Sequence, residues 1–268
     1  MSFALMPMLA FLCYLTATVL VSQRLYHAQG PRFKLVFSAA TAGIVLHMLA
    51  LSQAMFTVDG QNFSLINVSS LVCWLITLSL TLTALRTPIT LLLPIVYAFA
   101  ALVQLAVGLL PDGAQVQHFE HNPWLLLHVI VAFIAYVMLI MATLYSFQVS
   151  YISQRLKQKA PLQPGTVFPS LMQAEALLFR LMLAGTMLLG LTLLSGAIFT
   201  ADWLAKHNVH KNVLSLMAFL LFSLLLVGHA RLGWRGRIAN ALTISASLLL
   251  TLAYFGSRFV REVLLERL

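Results

Sequence analysis

Three histidines, His47, His128 and His229, lie within otherwise almost chargeless apolar stretches of this sequence. An ionisable side chain at membrane depth is costly, and it marks a bundle interior, a cavity or a bound ligand. No Asp or Glu falls in the same stretches, so these imidazoles have no carboxylate partner there. A neutral imidazole can give its lone pair to a metal instead, and haem iron suits an apolar slot between helices. Two readings therefore stand. The histidines are haem ligands, or they are core histidines hydrogen-bonded to backbone or to Ser and Thr.

The elements that must position them are membrane helices. Hydrophobic residues make up 61% of the 268 and charged residues only 9%. Soluble domains carry about 25% charged residues. Apolar runs close to the ~20 residues that span a bilayer cover 3–22, 35–54, 66–85, 89–110, 124–150, 178–200, 211–230 and 238–257. The expected fold is all-α: one polytopic transmembrane domain over 1–268, a bundle of eight helices. The first run lacks a basic leader and a small-residue cleavage signature, so it reads as a retained helix. Pro94 stands inside the fourth run, where a kink is expected. The polar stretch Tyr151 to Gln173 reads as a linker.

A net charge of +9 would point to nucleic acid in a soluble chain. Its distribution excludes that. Arg24, Arg32 and Lys34, then Arg86, then Arg155, Lys157 and Lys159, then Arg231, Arg235 and Arg237 occupy alternate loops. The positive-inside rule makes these loops cytoplasmic and puts both termini outside, periplasmic in a bacterial inner membrane. Arg258, Arg261 and Arg267 in the last tail run against the rule, outweighed by the four loops. Cys13 and Cys73 both fall within spans and form no CxxC, so they read as small core residues. The outer loops hold Phe56 and Phe63, then His118, Phe119, His121 and Trp124, then Phe199, Trp203, His207 and His210. These are bilayer anchors or a ligand platform.

His47 belongs to a stripe of small residues, Ala40, Gly43, Ala50 and Ala54, of the kind that lets helices approach closely. His128 has Ala132, Ala135, Ala142 and Ser146 on its own face. The two imidazoles lie about seven and about four residues from the outer ends of their helices, a depth difference of only about 5 Å. Imidazoles so placed on different helices could clamp one iron axially. His229 lies at the far end of its helix, about 25 Å below the outer surface, and does not share that ligand. Behind it, in Gly-Trp-Arg-Gly-Arg (233–237), the arginines suit carboxylates, haem propionates included, as well as lipid phosphates. His27, in a loop, says little by itself. His207 and His210 are three apart, a weak metal signal without a carboxylate.

Leu46-His47-Met48-Leu49, then Gly60, Phe63-Ser64-Leu65, Asn67 and Trp74, together with Leu127-His128-Val129 and Ala135-Tyr136, resemble the cytochrome c assembly family of haem-handling membrane proteins (the CcsA/CcmC/HemX group). Trp203, Lys211, Ser215-Leu216, Phe219, Phe222, His229-Ala230-Arg231 and Gly233-Trp234-Arg235-Gly236 extend the resemblance over most of the chain. The closest likeness is to a small inner-membrane branch. The resemblance implies non-covalent haem b at His47 and His128, with His229 as a further cofactor-binding residue. It also implies haem-acceptor or cytochrome maturation proteins as partners, beside the lipid bilayer. No catalytic residue is expected, and the protein reads as a non-enzyme.

Two other functions compete. A secondary transporter would need buried acids and paired broken helices, and the sequence has neither. A membrane scaffold that keeps the fold but has lost haem delivery fits the reduced Trp-rich segment around Trp203.

Overall fold

Residues 4–25, 27, 30–57, 60–87, 89–110, 116–117, 123–158, 170–199 and 206–259 are described, in a computed structural model. The apolar runs become helices: α1 (Leu5–Ser22), α2 (Phe33–Met55), α3 (Leu65–Ala84), α4 (Leu93–Leu109), α5 (Pro123–Lys157), α6 (Leu171–Phe199), α7 (Lys206–Leu232) and α8 (Arg237–Thr251). The last continues through a π-helical segment, Leu252–Gly256, into a final turn, Ser257–Phe259. Seven of these helices are long and apolar enough to cross a membrane. The eighth, α4, has 17 residues, the short end of the spanning range of about 17–25. The eight-helix, all-α membrane fold expected from hydropathy is the fold observed.

Three boundaries differ from expectation, each for a local reason. Residues 89–92 form a turn, and α4 starts at Leu93. Pro94 therefore sits in the first turn, where a missing N–H costs nothing, and produces no kink. Helix α5 runs on through the first part of the polar stretch to Lys157, and α6 begins at Leu171. Ser170 caps α6: its Oγ accepts from the Gln173 N–H at 3.2 Å, and the Gln173 side chain accepts the Ser170 N–H at 3.3 Å. That reciprocal pair satisfies two orphan donors and fixes the start.

The chain divides into two compact units, α1–α4 and α5–α8. In the first unit, α2 ends in a small antiparallel sheet. Phe56–Thr57 (β1) pairs with Gly60–Asn62 (β2), and β2 pairs with Val116–Gln117 (β3). The family-like segment from Gly60 to Asn67 ties this end together. The Asn62 carboxamide oxygen accepts from Ser64 N–H, and Ser64 Oγ caps α3 by accepting from Asn67 N–H. Asn67 Nδ2 reaches back to the Ala54 and Asn62 carbonyls. Every member of the stripe Ala40, Gly43, His47, Ala50 and Ala54 is buried, and a Cβ on Gly43 would stand 3.0 Å from the Tyr14 ring of α1. Tyr14 in turn stacks on Tyr97 of α4 at 6.4 Å.

The second unit is an up-and-down set. The α5–α6 seam closes where Gly185 leaves room for Leu139, and the α6–α7 seam where Gly190 lies under Phe219. Between α5 and α8 the contact is polar: Tyr136 Oη with Thr251 Oγ1 at 3.0 Å, Thr143 with Ser247, and Ser146 Oγ donating to Asn240 Oδ1 at 2.9 Å. As sequence numbers rise along α5 they fall along α8, so the helices are antiparallel. Such interhelical bonds are worth about 0.6 kcal/mol each on average in a bilayer.

Candidate functional site: histidines of the two helical units

His128 lies in the second turn of α5, which opens on Pro123, and is half-buried. Its Nδ1 is 2.7 Å from Ser195 Oγ on α6, and that hydroxyl donates to the Thr192 carbonyl at 3.0 Å. A serine hydroxyl has one proton. With that proton on Thr192 O, the hydroxyl accepts from His128 Nδ1–H. The ring is thereby held in the tautomer whose Nε2 carries the lone pair, and Nε2 has no hydrogen-bond partner among the described residues. This is how proteins present a histidine to a metal: one nitrogen tethered, the other open. Ala135, Ala142 and Ser146 on the same face are buried, and Ala132 is half-buried.

His47 is different. It is fully buried in the first unit, and both ring nitrogens are engaged. Nδ1 lies 3.2 Å from Tyr14 Oη, and Nε2 lies 2.8 Å from Ser70 Oγ on α3. Gln104 of α4 donates to the same serine oxygen at 3.3 Å. One polar cluster thus joins all four helices of the unit. Trp74 Nε1 adds a bond to the Ile44 carbonyl one turn away. In this arrangement a metal would have to displace Ser70 or Tyr14. His47 and His128 stand in separate units, each with its own surroundings.

His229 ends α7. Its ring lies flat on Phe179 of α6, centroids 3.4 Å apart and planes 10° off parallel, and its Nδ1 donates to the Trp234 carbonyl at 3.0 Å. Gly228 makes this possible, because the Trp234 ring packs directly where a Cβ would be. Gly233 supplies the left-handed backbone, φ +66°, that turns the chain. Phe179 and Ser195 mark the levels of His229 and His128 on α6. Sixteen residues separate them, or ~24 Å of helix, so the two imidazoles occupy opposite ends of the unit.

Cys13 and Cys73 are free thiols on α1 and α3. No group of three or more His, Cys, Asp or Glu able to hold a metal occurs among the described residues. Of the aromatic and imidazole loop residues, Phe56 is exposed and Phe63 buried. His27 and His210 are exposed. His118, Phe119, His121, Trp203 and the side chains of Phe199 and His207 lie outside the described residues.

Sequence reasoning missed two features. Glu175, inside α6, makes an ion pair with Arg235 at 3.4 Å; its place between the polar stretch and the sixth apolar run was the only signal. The second is the cluster around Tyr254 on the π-helical segment. Phe133 of α5 meets its ring edge-on at 6.0 Å, while Lys211 Nζ and Arg258 Cζ lie 5.7 and 5.2 Å from its centroid.

Eight apolar helices carrying half-buried, tethered imidazoles define an all-α polytopic membrane protein. The chain belongs to the cytochrome c assembly protein family, whose model matches residues 35–265. It is similar to the inner membrane protein YpjD of Escherichia coli (strain K12), 36% identical over 260 residues that cover 96% of this chain and 98% of that protein. It is also similar to a 28.8 kDa protein in a nifR3-like 5' region of Azospirillum brasilense, 35% identical over 170 residues, 63% of this chain and 61% of that one. No solved structure matches.

Proposed function

We propose that the protein binds haem b non-covalently in the bacterial inner membrane, with His128 as an axial ligand, and acts in cytochrome maturation. The observation that supports this most is the His128–Ser195–Thr192 relay, which leaves the Nε2 lone pair available. Bound there, haem would supply an iron centre for hand-over to an acceptor protein. The chain's own part is to orient the imidazole, keep water out of the helical unit and hold the ligand near one face. None of this needs a catalytic residue. In this reading both termini are periplasmic, so the His128 end of the second unit faces outward, toward haem-acceptor or maturation proteins. Absence of a CxxC makes thioether attachment of the haem to this chain unsupported. The test is an absorption spectrum of the detergent-purified protein from haem-replete cells. A Soret band that moves or vanishes in His128→Ala supports the reading, and a protein with no band after haem addition contradicts it.

A second reading, a membrane scaffold, is favoured by one observation: both nitrogens of His47 serve the helix contacts of the first unit. In that case the first unit is a structural partner, and haem, if lost, is lost with the second.

A further inference from the structure

The corner between α7 and α8, at the opposite end of the second unit from His128, is fastened both to α6 and to itself. His229 lies flat on Phe179, and its Nδ1 donates to the Trp234 carbonyl. The Trp234 N–H returns to the Gly228 carbonyl at 3.2 Å, and its ring covers Gly228. Arg235 pairs with Glu175 of α6. Gly233 and Gly236, at φ +66° and +61°, supply the left-handed steps that bring the chain back into α8. The corner is therefore a fixed mount for the side chains it carries.

Arg231 and Arg237 on this mount are exposed, and their side chains make no hydrogen bond, ion pair or ring contact with the described residues. Arg231 follows Gly228 by three residues, so it shares the face of α7 on which the Trp234 ring lies. Arg237 opens α8, whose first turn holds no acid and whose cap, Gly236, offers no side chain. The helix dipole adds to the positive field there. The second unit supplies no anion for these arginines. Its acids are Glu120, Glu175, Asp202, Glu262 and Glu266. Glu175 is taken by Arg235, and the others lie before α5, between α6 and α7, and beyond the final turn, on connections at the opposite helix ends. Residues 158–169, which join α5 to α6, contain no Asp or Glu.

Large apolar side chains stand exposed beside the two arginines: Leu232 at 69% next to Arg231, and Ile238 at 52% next to Arg237. Cations interleaved with apolar groups around a tryptophan match a molecule that joins an anionic headgroup to acyl chains. A free phosphate would use the arginines and leave Leu232 and Ile238 in water. We infer that the α7–α8 corner binds an anionic phospholipid, its phosphate on Arg231 and Arg237 and its chains against Leu232 and Ile238. Guanidinium groups suit that phosphate through paired, charge-assisted bonds. The site lies ~24 Å of helix from His128, so it stands or falls apart from the haem reading.

The probes are phosphatidylglycerol and phosphatidylcholine with the same brominated chains, which quench an indole they touch, added to the detergent-purified full chain. In wild type, phosphatidylglycerol should reach half-maximal quenching at about fivefold to thirtyfold lower mole fraction, as two arginines at a lipid surface imply. Added salt should shrink that preference. Trp234→Phe, which leaves Trp74, Trp124 and Trp203 as reporters, should remove it from the signal. Arg231→Gln combined with Arg237→Gln should abolish it while leaving quenching by phosphatidylcholine unchanged, which also shows that the variant folds. Arg155→Gln with Lys157→Gln removes equal charge at the same end and should keep most of it. Equal wild-type quenching by the two lipids overturns the inference. So does a preference that survives the Arg231 and Arg237 variant, or one lost equally in the Arg155 and Lys157 control. Should the arginine variant not fold, the comparison of wild type with Trp234→Phe decides. Glycerol phosphate at the same concentration should not displace the lipid; displacement would assign the site to a free phosphate and overturn the lipid.

Discussion

Ser195 Oγ stands 2.7 Å from His128 Nδ1 and donates its own proton to the Thr192 carbonyl. This relation chooses the histidine tautomer without any charged partner, which a bilayer setting disfavours. Removing the hydroxyl should leave His128 in place but unfastened. Ser195→Ala is expected to weaken haem binding by about 10–100-fold, read by titration of the Soret band. Ser195→Thr should retain most of the affinity, since its hydroxyl offers the same acceptor. Equal loss in both variants would show that bulk, not the hydrogen bond, matters at this position.

The polar cluster of the first unit predicts an ordered series of stabilities. Ser70→Ala strands His47 Nε2 and the Gln104 amide in a buried core, and Tyr14→Phe strands Nδ1. Each should cost about 1–3 kcal/mol. Gln104→Leu should cost less, because the Gln104 Oε1 finds no partner among the described residues. Thermal unfolding in detergent gives the order directly. A Gln104→Leu variant less stable than Ser70→Ala would assign the amide a role this cluster does not show.

Two glycines set close approaches. Gly43→Leu would drive a branched side chain into the Tyr14 ring, and Gly228→Ala would push the Trp234 ring off α7. Overpacking of this kind costs about 1–3 kcal/mol. Gly228→Ala should also shift tryptophan fluorescence toward a wetter environment. Unchanged stability and emission in both would mean that the rings move aside freely.

Much of this architecture was legible in the sequence, because a bilayer demands long apolar helices and this chain supplies them almost without interruption. The stripe through Gly43 and His47 correctly turned that histidine inward. It could not say what His47 meets, since Tyr14 and Ser70 belong to helices whose mutual rotation is set by packing. Pro94 read as a kink because hydropathy continues through residues 89–92, whereas backbone chemistry starts the helix beside it. Ser195 was within reach: it and His128 lie almost equally far from the centre of the polar stretch Tyr151 to Gln173, so an antiparallel hairpin pairs them. The π-helical segment left no composition signal, and with it the cluster on Tyr254 was invisible.

The proposed topology puts the start of the α5–α6 linker in the cytoplasm. A single reporter cysteine at Gln158, in a variant with Cys13 and Cys73 replaced by Ala, should resist a membrane-impermeant thiol reagent in intact cells and react after permeabilisation. Labelling from outside would invert the topology and place His128 at the cytoplasmic face.

The most direct measurement is the haem absorption spectrum of three purified proteins side by side: wild type, His128→Ala and His229→Ala. The His128 site predicts a Soret band in wild type, its loss or a change of coordination in His128→Ala, and an unaltered band in His229→Ala, whose side chain lies ~24 Å of helix away. A band that survives His128→Ala but disappears with His229→Ala would contradict it.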